Sequence, residues 1–343
     1  MSRMVMKADG VEVTGWESLV VRHAVGEIAG SFTAVFPVPS TQQNGLSSAL
    51  ITILVDEAVV LRGWVDVMRP SKTSRGTRLL VTGRSRTGDL VDCSAEAKQY
   101  KNQPLRDLVQ KLVDPFGMDV ALGSGVDQGE PIGEFTLQPA ETAWEAMERA
   151  CRRRMVLPTW DEEGERILLT KPGAAGRASS LREGVNLSSV GLNIDNRGRF
   201  SDYRIVGYTV NEDGEAVPHE GASADAGVSR NRPKTLIVSG YSADYLKERA
   251  AWEATVRAAR AVGVEAMVPG LVQEDGQLWP LNAVAPIEYP SLGLDTNLLI
   301  AERTLGVSED QGSRTTMVLR RKDMFLFQPE VDVVDEDLAL GDW

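Results

Sequence analysis

Residues 83–95, GRSRTGDLVDCSA, gather two arginines, two aspartates, two serines and a cysteine. That set could do chemistry, with Cys93 or Ser94 as a nucleophile and Asp89 and Asp92 as nearby acids. A serine or thiol nucleophile normally needs an adjacent base, most often histidine. The chain has two histidines, His23 within VVRHAV and His219 in a polar run, and neither sits in a catalytic motif. No G-x-S-x-G elbow is present. Cys151 falls on a helical stripe with Trp144 and Met147 and reads as a small core residue. The opening segment, with Arg84 and Arg86 after the run LLVTG, therefore reads as a strand passing into a polar turn.

Other chemistries find no better footing. Two histidines and two separated cysteines do not make a zinc set, and H-E-x-x-H is missing. The acidic run 161–164, DEEG, lacks the spacing of a calcium loop and reads as a solvated turn. No G-x-x-x-x-G-K-[ST] occurs, and GSGVDQGEPIG (123–133) reads as a linker. No cofactor or metal site is expected. A glycosidase needs only two well-spaced carboxylates, and Glu145 with Glu148 beside Trp144 is the most tempting pair. On an amphipathic helix the two read as its solvated face. Arg152–Arg154 read as cations closing that helix, and Arg320–Lys322 as charge guarding a strand end.

The elements that carry these residues change texture along 343 residues, enough for two or three domains. The first hundred residues read as short strands: SFTAVFPV alternates Phe32, Ala34, Phe36 and Val38 with smaller or more polar neighbours. ALITILVDEAVVLRGWVDV gives two runs around Asp56-Glu57, and TRLLVTGRS a further one. Leu105, Leu108, Val109, Leu112 and Val113 share one helix face between Pro104 and Pro115. ETAWEAMERACRRRM predicts a second helix with Trp144, Met147, Cys151 and Met155 on a stripe, followed by the strand RILLTKPG. Strand RFSDYRIVGYTV (199–210) precedes a long polar loop, 211–233. A third helix starts at the N-cap Ser242 and stops at Gly263, and β texture returns with an Asp-Gly hairpin in LVQEDGQLWPL. The fold class expected is mainly β with an α/β insert (α+β), as two similar β units.

A formal charge of −12 argues against nucleic-acid binding as the main business. The N-terminal MSRMVMKADGVEVTG has no signal-like apolar run, and no stretch approaches a membrane-spanning length, so no membrane insertion is expected and synthesis in a cytoplasm is. The acidic tail PEVDVVDEDLALGDW reads as a frayed end or a segment that orders on a partner.

The run GRSRTGDLVDCSA resembles a signature of the baseplate hub proteins of Mu-type contractile-tailed phages, the late control protein D family. A second resemblance is D-x-G-V-x-R-x-R-P, here Asp225, Gly227, Val228, Arg230, Arg232 and Pro233. A third is Gly-Gln-Leu-Trp-Pro-Leu-Asn (276–282), which includes Trp279. Together they run in order over nearly the whole chain. On this resemblance Arg84, Asp89, Asp92, Cys93, Asp225, Arg230, Arg232, Pro233 and Trp279 are motif positions of structural role. The resemblance implies a ring-shaped homotrimer with two barrel-like β domains per subunit, related in fold to the N-terminal part of type VI VgrG spikes. The domains would be 1–97 with 184–235, an α/β insert at 98–183, a second barrel-like domain with a leading helix at 236–329, and the tail 330–343. It implies a non-enzymatic hub in the virion tail, assembled in the host bacterial cytoplasm, that joins a sixfold tail tube to a threefold central spike beside other baseplate proteins. DNA would pass without specific binding, helped by an acidic lumen. The alternatives are a tailocin or type VI-like injection machine, and a cell-wall glycan hydrolase or peptidoglycan-binding module.

Overall fold

The computed structural model describes residues 2–37, 45–47, 49–74, 76–161, 166–211, 213–238 and 242–329. Val38, residues 162–164 of the acidic run and the tail 330–343 lie outside these residues. The chain is mainly β and forms two compact units. Unit 1 comprises Met1–Leu192 and Val264–Leu319, and unit 2 comprises Asn193–Gly263 and Arg320–Trp343.

Unit 1 is organised by one large sheet. Its strands run in the order Val11–Val13, Met4–Ala8, Ile51–Val55, Ala58–Thr73, Gly76–Ser85, Ser31–Phe36, Ser18–Ala24, Leu294–Ser308, Gly312–Arg320, Val262–Pro269 and Ser189–Ile194. Strand Val284–Tyr289 branches from Leu294–Ser308 and carries the short Leu181–Arg182. Strict alternation drives the early strands: Ser18–Ala24, Ser31–Phe36 and Ile51–Val55 each bury every second residue. Met6, Phe32, Phe36, Ile51, Ile53 and Leu61 fill the first β half. Val264, Ala285, Ile287, Ile300 and Met317 fill a separate core for the second half. The halves meet where Ser18–Ala24 pairs antiparallel with Leu294–Ser308. The expected barrel-like domains do not appear as closed barrels: the pairing path is open, and among the described residues nothing bonds its two ends together. One shared seam joins the halves into a single sheet instead.

Between the halves lies the α/β insert. Helix α1 (Gly88–Asp92) leads into it and is followed by α2 (Leu105–Val113) and α3 (Ala143–Arg152). The five apolar residues expected on one face of α2 are all buried. Thr142 and Glu145 form a reciprocal capping box at the start of α3. The α3 stripe is shorter than expected: Met147 and Cys151 are buried, but Met155 lies past the helix end, 55% exposed at φ 51°. Strands Asp119–Leu122, Arg166–Thr170 and Leu157–Trp160 make a small mixed sheet, and Gln99–Gln103 pairs with Ile132–Thr136.

Unit 2 contains strands Ala216–Ala224, Asp202–Val210 and Pro233–Ile237, in that spatial order, with helix α4 (Ala243–Arg260) against one face. Two expectations change here. The predicted loop 211–233 holds a full strand, Ala216–Ala224, whose Ala, Gly and Ser content hides its pairing with Asp202–Val210. Helix α4 begins at Ser242, whose side chain accepts from the Tyr245 N–H, but it ends at Arg260; Gly263 belongs to the following strand. Gly221 explains how α4 settles so closely, since a Cβ there would collide with the backbone of Leu246 and Lys247. Helix α4 packs on strands Asp202–Val210 and Ala216–Ala224, and all three belong to unit 2.

Candidate functional site: polar joints between the parts of the fold

Arg84 stands at the end of strand Gly76–Ser85, where the sheet gives way to the insert. Its guanidinium bonds two carboxylates at once. Nε and Nη2 donate to Asp66 at 2.8 and 3.2 Å, and Nη1 and Nη2 donate to Asp92 at 3.1 and 2.6 Å. The two partners raise the Arg84 pKa, and Arg84 holds the Asp92 carboxyl below its usual range. The next residues carry the joint inward. Thr87 Oγ1 donates to the Ile28 carbonyl at 2.7 Å, so the 2.6 Å contact with Ser85 Oγ makes Ser85 the donor there. Ser85 Oγ in turn accepts from the Gly30 N–H. Arg86 donates to the Phe116 carbonyl, and Leu90 of α1 is fully buried in the insert core.

Of the predicted residues in this segment, Arg84 and Asp92 are brought together. Asp89 and Cys93 are exposed; Asp89 contributes its carbonyl to the Cys93 N–H, and its side chain has no partner among the described residues. Asp66, which sequence reasoning missed, is the second acid. Its signal lies in the register that sets Trp64 opposite Arg84 and in the bulge between Val65 and Val67.

A second joint sits on the seam. Arg303 and His23 are directly opposed in the strand register, and Arg303 is 1% exposed. Arg303 Nη1 donates to the Trp279 carbonyl at 2.6 Å, and Nη2 lies 3.3 Å from His23 Nδ1. Burial first, then the charges of Arg303 and Arg22, keep the His23 pKa well below its ordinary value. His23 is thus a neutral acceptor at Nδ1 with its proton on Nε2. Its ring meets Trp160 of the insert edge-on at 4.7 Å. Gly30 completes the contact, because a Cβ there would lie 2.5 Å from both the His23 and Trp160 rings. First half, second half and insert are locked at one point. Trp279, the third-motif residue, is buried and supplies the carbonyl.

The third joint holds the second motif, in unit 2. Asp225 receives Arg199 through two bonds of 2.8 and 2.7 Å and the Gly227 N–H at 2.9 Å, and Arg199 holds its carboxyl below the usual range. Arg232 donates to the carbonyls of Asn196 and Arg197 and lies 4.9 Å from the centre of the Phe200 ring. Pro233 opens the strand that pairs in parallel with Asp202–Val210. Arg230 is exposed and has no side-chain partner among the described residues.

These joints hold backbone and charge in place. His23 is committed to Arg303, Glu145 caps α3, Glu148 pairs with Arg152, and burial pushes the Cys151 thiol far up. Of the groups that invited a catalytic reading, these four have a structural partner or a buried setting, whereas Asp89 and Cys93 are exposed.

Comparison with known proteins agrees with this mechanical character. Three family descriptions match in succession: the N-terminal part of Mu phage baseplate assembly protein GpP-like proteins at residues 3–85, the second domain of baseplate hub protein gp44-like proteins at 87–171, and the fourth domain of GpP at 242–328. Baseplate hub protein gp44 of Escherichia phage Mu is 31% identical over 96% of this chain and 90% of its own length. The crystal structure of the 43 kDa tail protein of prophage MuSo2 from Shewanella oneidensis superposes with a TM-score of 0.84, at 24% identity, covering 96% of this chain and all of that one. The E. coli c3393 protein, a component of the type VI secretion system, shares the fold more distantly, with a TM-score of 0.53 at 11% identity over 95% of this chain and 79% of its own. The chain belongs to the baseplate hub protein family of Mu-like phages.

Proposed function

We propose that this protein is the central hub of a contractile tail, a ring of three copies that joins a sixfold tail tube to a threefold spike. Family membership supplies the baseplate role. The observation that carries the finer reading is the pair of separately cored β halves joined at one seam, since three such chains would present six β halves around an axis. The joints at Arg84 and at His23–Arg303 fit a part that must transmit force without changing shape. The other motif positions take the same structural role. In this reading the ring sits in the virion baseplate among other baseplate proteins, is assembled in the host cytoplasm and lets DNA through an acidic passage without gripping it.

Light scattering of the purified chain, alone and with a candidate spike protein, tests the proposal. The expected mass is near three times the 37.3 kDa chain for the chain alone, or three chains plus the spike in the mixture. A monomer in both would overturn the ring. The likeness to a type VI component favours one second reading, a hub in a related injection machine. A capsid and terminase set among the neighbouring genes would decide for the phage. Clearing of a peptidoglycan zymogram would instead revive the hydrolase reading.

A further inference from the structure

Charge is distributed unevenly along the chain. Unit 2 up to Pro329 carries 13 lysines and arginines against 11 aspartates and glutamates, in a protein of net charge −12. Residues 330–343 carry six acids and no cation. They account for half of the net charge.

Three cations of unit 2 gather around one ring. Arg232, Lys234 and Arg257 lie 4.9, 5.6 and 5.7 Å from the centre of Phe200. Arg197 and Arg199 lie just before Phe200 in the sequence, and Arg321 is near enough to act on the Asp225 carboxylate. Most of the acids nearby are committed to cations, Asp195 to Arg197, Asp225 to Arg199, Glu253 to Arg249 and Arg257, and Asp323 to Arg321, while the exposed Asp202 accepts from the Ser201 hydroxyl. Lys234 and the exposed Arg230 and Arg260 have no carboxylate partner among the described residues. Cations stacked on an aromatic face, with more positive charge than local acids neutralise, make a receptor for an acidic segment.

We propose that residues 330–343 of this chain dock on the cation cluster around Phe200. Charge complementarity selects this occupant, and the path of the chain allows it. After Arg320 the backbone runs beside α4, where the Trp252 indole donates to the Leu326 carbonyl and Gln328 lies 3.4 Å from the Tyr245 hydroxyl. From Tyr245 to Arg257 is about 18 Å along the helix at its usual rise. Fourteen extended residues span roughly 46 Å. The tail therefore reaches the cluster of its own copy with length to spare.

Zero-length carbodiimide coupling of the full chain, read by mass spectrometry, tests this. Lys234 is expected to join Asp335, Glu336 or Asp337 about fivefold more often than any lysine of unit 1 does, and the excess should vanish near 1 M salt. The double variant Arg230→Glu, Arg260→Glu changes only exposed side chains and should lower the Lys234 yield about fivefold with the far-ultraviolet spectrum unchanged. Mixing isotope-labelled and unlabelled chains reports whether the tail serves its own copy or the next, and either result supports the site. Tail coupling spread evenly over all lysines would overturn it. So would retention of a labelled DNA duplex by Lys234 and Arg230 with no tail coupling, which would make the cluster a phosphate site.

Discussion

At the scale of residues, the seam histidine is the most exacting group in the molecule. His23 is 2% exposed, accepts from Arg303 and stays neutral because burial and two guanidiniums oppose its charging. In the unfolded chain the same ring takes a proton near pH 6.5. Between that value and its depressed folded pKa, the unfolded state binds the extra proton, so stability falls as pH falls below about 6.5. The expected loss from pH 7.5 to 5.5 is about 1.4 kcal/mol, present in urea titrations of the native chain and absent in His23→Gln. His219, the other histidine, lies 2.8 Å from Thr209 in unit 2 and serves as the internal control through His219→Gln. A pH slope that persists in His23→Gln would move the titration elsewhere.

At the scale of elements, α4 and the three strands beneath it depend on close approach more than on apolar bulk. Gly221 faces the backbone of Leu246 and Lys247, and Gly207 faces the Val238 carbonyl. Gly221→Ala is expected to destabilise unit 2 by about 2 kcal/mol, since the helix must lift to admit the methyl group. Gly191→Ala, where the added carbon meets nothing within 4 Å, should leave the melting temperature near that of the native chain. This dependence also explains what could be read in advance. The faces of α2 and the N-cap of α4 are local patterns, and both appear where periodicity and capping chemistry place them. Strand Ala216–Ala224 is legible only through its partner, because its own residues favour turns. Asp66 and Arg303 were invisible for a related reason: each acquires its role from a residue on the neighbouring strand, Arg84 or His23, and register is a property of the folded sheet.

At the scale of the whole molecule, the cores differ greatly in size. The first β half and the insert each enclose about a score of buried apolar side chains, whereas the unit 2 cluster holds Ile205, Tyr245, Leu246 and Ala250. Less apolar area withdrawn from water means a smaller free energy of local opening. Ion pairs on unit 2, such as Arg204–Glu220 with both side chains largely exposed, do little to offset that difference. Hydrogen exchange should therefore find strands Asp202–Val210 and Ala216–Ala224 opening sub-globally, with protection at least tenfold below that of Gly76–Ser85. Uniform protection across both units would mean that they unfold together. In an assembled tail the same strands should gain protection, because a unit with a small core and the uncovered apolar residues Tyr208, Val210 and Ile237 has the most to gain from a neighbour.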